Sequence, residues 1–208
     1  MSASHHHHDE DFSGASADYK RRLWAVIVIN AGMFGVEMTA GQLGRSRALQ
    51  ADALDFLADA LTYGLSLAVI GMPLRVRAGA ALLKGLSLSL MGVFVLGSTL
   101  WRVFVTGMPE AGVMGAVGFM ALAANVASVA LLISYKDGDA NVRSVWLCSR
   151  NDAIGNVAVM LAAAAVWATA TPWPDLIVAA GMAALFLSSS FQIVRQALAE
   201  YRHAETHV

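Results

Sequence analysis

The chain alternates long apolar runs with short polar connections. The runs extend from about Leu23 to Leu43, Ala48 to Met72, Ala78 to Val105, Gly112 to Tyr135, Val142 to Thr169 and Leu176 to Leu198. A helix needs about 20 residues to cross roughly 30 Å of hydrocarbon, and each run is long enough. Lys20-Arg21-Arg22 opens the first run, Pro73 ends the second, and Pro172 with Pro174 closes the fifth, as expected of a residue that cannot continue a helix. In hydrocarbon only helices and closed barrels satisfy every backbone amide, and these runs are too long and too continuous for barrel strands. The pattern predicts an all-α polytopic membrane protein. Six transmembrane helices occupy residues 20–202, between a polar tail over 1–19 and a short tail over 203–208.

Basic residues in the connections set the expected orientation. With both termini cytoplasmic, the inside carries Lys20, Arg21, Arg22, Arg75, Arg77, Lys84, Lys136, Arg143, Arg195 and Arg202, and the outside only Arg45, Arg47 and Arg102. The positive-inside rule selects that topology. The first tail holds His5, His6, His7 and His8 followed by Asp9, Glu10 and Asp11. It has too little apolar surface to fold, and its histidines are either a loose collector of soft divalent ions or a tag remnant. His203 and His207, four apart in the last tail, read as solvated polar residues.

Composition narrows the class further. Of 208 residues, 57% are hydrophobic and 14% charged, against roughly 45–50% and 25% in soluble domains. The net charge of −1 argues against a nucleic-acid partner. One cysteine excludes an intramolecular disulfide. The first twenty residues lack the apolar core of a signal peptide. The expected location is a bacterial inner membrane.

Two stretches put polar chemistry where hydrocarbon should be: Ala51-Asp52-Ala53-Leu54-Asp55-Phe56-Leu57-Ala58-Asp59 and Cys148-Ser149-Arg150-Asn151-Asp152. Charge inside a span is expensive and marks a functional site by default. Asp55 and Asp59 are four residues apart, as are Cys148 and Asp152, so each pair stacks on one helix face. On the second run Asp52, Asp55 and Asp59 fall at helical angles of about 0°, −60° and −20°, on one stripe. A single carboxyl in a span is accounted for by protonation and an interhelical hydrogen bond; three on one stripe, matched by a thiol–carboxylate pair on another run, are not. Asp55, Asp59, Cys148 and Asp152, facing each other from two helices, make a four-ligand site for a divalent metal ion carried across the membrane. Three carboxylates and a thiolate suit a tetrahedral ion such as zinc, and the sulfur shifts preference toward softer ions such as cadmium. Arg150 points roughly away from that face on a helix and is expected to snorkel.

Softer candidates surround these four. Asn151 and Asn156 read equally as supporting hydrogen-bond partners of the ligands or as interhelical glue. Asn30 and Glu37, seven apart on the first run, share a face turned into the bundle; with Asn125 they suit packing or an access path. The ten methionines are scattered and fill core space. Gly79-Ala80-Ala81 and Ala162 to Ala165 suit close helix packing.

These residues also carry a family resemblance. Ser46-Arg47-Ala48-Leu49-Gln50-Ala51-Asp52-Ala53, followed by Asp55 and Asp59, resembles the second span of cation diffusion facilitators. Asn141-Val142-Arg143, then Cys148 and Asp152, resembles the start of their fifth. The resemblance covers nearly the whole chain from about Leu23. It implies export of zinc and related divalent ions from the cytoplasm, commonly in exchange for protons, by a homodimer, with Asp55, Asp59, Cys148 and Asp152 as transport-site ligands. Two features depart from the pattern. Asp55 and Cys148 stand where histidine is frequent, which leaves metal preference open. The family's cytoplasmic ferredoxin-like domain is not in this sequence, so dimerisation is expected to rest on the spans, with runs three and six as the candidates.

Metal and protons compete for the same groups, so proton-coupled antiport by alternating access is the expected mechanism. A proton-coupled exporter of small organic cations is the alternative; it predicts an aromatic-lined cavity, and only Phe56 and Tyr63 lie near the stripe. An intramembrane hydrolase is disfavoured, since the spans hold no histidine or second catalytic dyad. The expectation is a transporter rather than an enzyme, with a transported metal and no cofactor.

Overall fold

The computed structural model describes residues 16–69, 72, 74–105, 107–135 and 140–206, with side chains given for these except 74, 75, 77, 140–148 and 200–206. The runs become six long α-helices: α1 (Ala17–Leu43), α2 (Arg47–Ala68), α3 (Leu74–Phe104), α4 (Ala111–Leu132), α5 (Ala140–Thr169) and α6 (Trp173–Thr206), with a single 3-10 turn over Ile133–Tyr135. His5–His8, Pro73, Lys136 and His207 lie outside the described residues, as do the side chains of Arg75, Arg77, Arg143, Cys148, Arg202 and His203.

The helices overrun the apolar runs because polar groups cap and extend them. α1 starts at Ala17, where the Ser16 hydroxyl accepts from the Tyr19 amide at 3.2 Å; Asp18 then pairs with Arg22 at 3.0 Å, one turn on. Residues 17–19, assigned from sequence to the tail, therefore belong to the bundle. Pro174 does not close the fifth run. It is the second residue of α6, where a missing N–H costs nothing.

Five helices are long and apolar enough to cross a membrane: α1, α3, α4, α5 and α6. α2 falls short because its interior holds Asp52, Asp55 and Asp59. Its surroundings compensate. Ala48 and Leu49 join Met114 of α4 and Val159, Ala162, Ala163 and Val166 of α5 in one buried cluster. Ala51 and Leu54 join Val95 of α3 and Ala179, Ala183 and Phe186 of α6 in another. Phe56 packs on Met33 of α1 and Ala121 of α4, and Tyr63 on Tyr19, Leu23, Val26, Ile27 and Leu132. The least apolar helix is thus enclosed by protein, while Leu90, Trp101, Phe104, Trp167 and Phe191 on the others face outward.

The helices sort into two bodies. α1, α2, α4 and α5 pack as one group, and α3 lies along α6 as a pair that reaches the group mainly through α2 and the start of α6. The α3–α6 seam depends on small residues: a Cβ at Gly85 would come within 2.6 Å of Val194 Cγ2, and one at Gly92 within 2.9 Å of Leu187 Cγ. Ser89 and Ser190 hydrogen-bond across it, and Ser190 Oγ donates to the Gly85 carbonyl at 2.8 Å. Of the small-residue runs singled out above, Ala162 and Ala163 do pack in the core; Gly79 faces open space and serves no close contact.

Candidate functional site: a row of carboxyls along α2

Asp55 and Asp59 stand about 12 and 18 Å along α2 from its start, and Asp152 about 18 Å along α5, at a rise of 1.5 Å per residue. All three therefore lie well inside their helices, half-buried. α2 and α5 pack side by side, and the Asp152 carboxyl comes within hydrogen-bonding reach of both Asp55 and Asp59. The spacing of four residues on α2 puts two carboxyls on one face, and α5 delivers the third between them.

The row extends at both ends. Toward the start of α2, Asp52, 2% exposed, meets Glu37 of α1, which is fully buried. Neither Glu37 oxygen nor Asp52 Oδ2 has an amide or hydroxyl donor; the two carboxyls face each other. Two acceptors in contact, away from water, hold together only with a proton between them, since like charges at that range repel strongly in a low dielectric. At the other end the Tyr63 hydroxyl, one turn beyond Asp59, donates to Asp59 Oδ2 at 2.5 Å. The order is Glu37, Asp52, Asp55, Asp152, Asp59, Tyr63.

The contacts run in pairs, and between Asp52 and Asp55 the link is electrostatic rather than a hydrogen bond. Among the described residues no three His, Cys, Asp or Glu side chains converge as a metal cage. The carboxyls are turned to each other and to Tyr63. The side chain of Cys148, the fourth expected ligand, lies outside the described set; its backbone is on α5, one turn before Asp152.

The neighbours divide clearly. Asn156, one turn past Asp152, is fully buried with neither amide atom paired. Asn151 is exposed and accepts from Arg150, itself exposed, so Asn151 does not face the row and Arg150 points away as expected. Asn30 and Glu37 both face inward, and the Asn30 amide donates to the Val26 carbonyl at 2.8 Å. Sequence reasoning placed Glu37 on an access path and missed that it touches Asp52; the seven-residue spacing from Asn30 fixed its face but not its partner. Tyr63 was weighed only as an aromatic. The signal was its position, four residues after Asp59 on the same stripe.

α2 is set in place by its start. Asp175 of α6, 1% exposed, accepts from Ser46 Oγ at 2.6 Å, from the Arg47 amide at 2.8 Å and from the Ala48 amide at 2.9 Å. Ser46 Oγ in turn accepts from the Leu49 amide at 3.0 Å, and the Gln50 amide reaches the Ser46 carbonyl at 3.4 Å. The Ser46 amide itself donates to the Gly41 carbonyl at 2.9 Å, so the four N–H groups from Ser46 to Leu49, normally orphaned, are all satisfied, half of them by another helix.

The chain has relatives among known proteins. The zinc transporter ZitB of Pectobacterium atrosepticum is 29% identical over 209 residues, covering 94% of this chain and 64% of that protein. ZitB of Escherichia coli K12 is 27% identical over 194 residues, 86% of this chain and 62% of that protein. The chain thus spans somewhat less than two thirds of the length of these relatives. Residues 23–200 match the family model of the cation efflux transmembrane domain, and a match over that much of the sequence means that the chain belongs to the cation efflux family.

Proposed function

We propose that this integral membrane protein exports a divalent metal ion, with Asp55, Asp59, Cys148 and Asp152 as its ligands. The observation that carries the reading is the approach of Asp152 on α5 to both Asp55 and Asp59 on α2. It joins the two sequence stretches at one point, between α2 and α5. α2 is then the sixth span, admitted to the membrane by its protein surroundings, and the termini lie in the cytoplasm. The relatives named above are zinc transporters, which favours zinc as cargo; the thiol of Cys148 extends the range to cadmium.

The pairwise carboxyl contacts support exchange for protons. In this reading Asp152 shares protons with Asp55 and with Asp59 when no ion is bound, and Tyr63 holds Asp59. An arriving cation displaces those protons and turns the carboxylates inward, because metal and proton need the same oxygens. Release on the opposite side lets the carboxyls re-protonate. The two bodies offer the moving parts: the α3–α6 pair sliding against the other four helices, with α2 at the joint. A homodimer in the membrane completes the reading.

The test is zinc uptake into vesicles reconstituted with wild type, Asp59→Ala and Asp152→Ala. Each variant is expected to fold and to lose transport, and wild-type rates in both would refute the site. Uptake of small organic cations in place of metal, with the same dependence on Asp59, would instead establish the alternative cargo.

A further inference from the structure

The face opposite the termini carries a second polar feature. Arg45, Arg47 and Arg102 line a pocket of about 340 Å³ together with Gln42, Gln50 and Phe94. The arginines come from three places: the α1–α2 turn, the first residue of α2 and the last turn of α3. Arg47 and Arg102 are near enough to repel each other. Among the described residues no carboxylate, Glu110 on the neighbouring loop included, forms an ion pair with any of the three. Asp175 partly offsets Arg47, but its oxygens already accept three hydrogen bonds at the start of α2.

The arginines are nevertheless held where they are. Arg47 Nη1 donates to Gln50 Oε1 at 2.6 Å. Arg102 Nη2 makes long bonds to the Arg45 carbonyl at 3.3 Å and the Gly107 carbonyl at 3.4 Å. Arg45 has φ 54°, a left-handed conformation that strains a residue other than glycine. Each guanidinium has five N–H donors, and most of theirs remain open to the pocket. Like charges gathered under backbone strain, with donors unspent, describe a receptor for an anion.

The walls say which anion. Phe94 is 57% exposed and lies two helical turns before Arg102 on α3, about 12 Å deeper at 1.5 Å per residue. The pocket therefore runs from guanidinium groups at the helix ends down to an aromatic on the outward surface, beside exposed Trp101 and Phe104 at the level where aromatic belts sit. A free phosphate needs only the upper part. We propose that this pocket binds a membrane phospholipid, its phosphate on Arg45, Arg47 and Arg102, its headgroup hydroxyls on Gln42 and Gln50, and an acyl chain along Phe94. Guanidinium groups recognise a phosphate by paired, charge-assisted hydrogen bonds. The site is separate from the carboxyl row and does not depend on what the row carries.

The test titrates the purified full chain, in a neutral detergent, with short-chain phosphatidylglycerol, phosphatidylcholine or millimolar inorganic phosphate, following binding by tryptophan fluorescence. Phosphatidylglycerol is expected to bind saturably. At about five-fold per arginine near a headgroup, the Arg45→Gln/Arg102→Gln double variant should bind it roughly 20- to 30-fold more weakly. Arg45→Gly provides a second variant whose backbone suits the left-handed turn, and it should lose about five-fold with an unchanged circular dichroism spectrum. Equal phosphatidylglycerol affinity in wild type and both variants overturns the proposal. So does arginine-dependent binding of inorganic phosphate without arginine-dependent binding of the lipid.

Discussion

Asp175→Ala gives the most quantitative test of how α2 is positioned. The change removes the acceptor for Ser46 Oγ and the Arg47 and Ala48 amides, at 2.6, 2.8 and 2.9 Å. Ser46 is fully buried and Asp175 nearly so, so water cannot easily replace the carboxylate. A hydrogen bond to a charged group contributes about 1.5–3 kcal/mol. The carboxylate also sits at the positive end of α2, adding about 0.3–1 kcal/mol. The Ser46 hydroxyl can turn to another acceptor, so two amide bonds and the helix-end term set the loss, at about 3–7 kcal/mol. Asp175→Asn keeps one acceptor and places an NH₂ against an N–H donor, with a loss of about half that. Ser46→Ala removes a helix cap, about 1–2 kcal/mol, and its loss should not add to that of Asp175→Ala because the two side chains share one bond. The assay is denaturant unfolding in detergent of the three single variants and the Asp175→Ala/Ser46→Ala double. A loss below about 1 kcal/mol for Asp175→Ala, the level of an exposed ion pair, would show that the clasp does not fix α2 to α6.

Three shorter predictions bear on the row and the seam. Tyr63→Phe removes the donor that competes for Asp59, so zinc affinity at fixed pH should rise by about ten-fold or more, the low end of one charged hydrogen bond; a weaker affinity by calorimetry would mean that Tyr63 positions Asp59 for the ion. Asp55→His with Cys148→His replaces two anionic ligands by neutral ones, so zinc affinity measured from about pH 5.5 to 8, around the range where histidine titrates, should fall less steeply on acidification and favour zinc over cadmium; an equal or steeper slope refutes proton competition at these two positions. Gly85→Ala should cost about 1–3 kcal/mol by overpacking, because Val194 Cγ2 stands 2.6 Å from the new methyl, whereas Gly97→Ala, with open space around it, should be neutral or gain about 0.5–1 kcal/mol; equal effects in unfolding measurements would remove the seam argument.

Much of the fold was legible in the sequence because hydrocarbon imposes a length and a polarity that show in one dimension. The six runs became six helices, and the two stretches that broke the rule met in space. Helix ends were less legible. Ser16 with Asp18 extends α1, and Pro174 opens α6, since capping and first-turn chemistry operate on a few residues that hydropathy averages away. Partners across helices were the least legible. The face of Glu37 followed from its spacing to Asn30, but its contact with Asp52 depends on how α1 crosses α2. Asp175 had no signal at all: it is a lone acid near a proline, and only the fold brings it to Ser46.

The same helix carries both the row and the clasp, and this has a physical logic. Three aspartates leave α2 too polar to hold its own place in hydrocarbon, so protein contacts must hold it: small residues on α4, α5 and α6, Tyr63 in the α1–α4 core, and Asp175 on its first turn. The fixed end lies on the face away from the termini. The carboxyls begin about 8 Å below it at Asp52 and run toward the other end, where α2 finishes at Ala68 without a basic residue or side-chain cap and is tied to α3 by the bond from Lys84 to Ser66 at 2.8 Å. Among the described residues, α2 is anchored by a charged network at one end, and at the other by Tyr63 and Leu67 in the α1–α4 core and by the Lys84–Ser66 bond. In the proposed cycle the second is the end from which a cytoplasmic ion would reach Asp59.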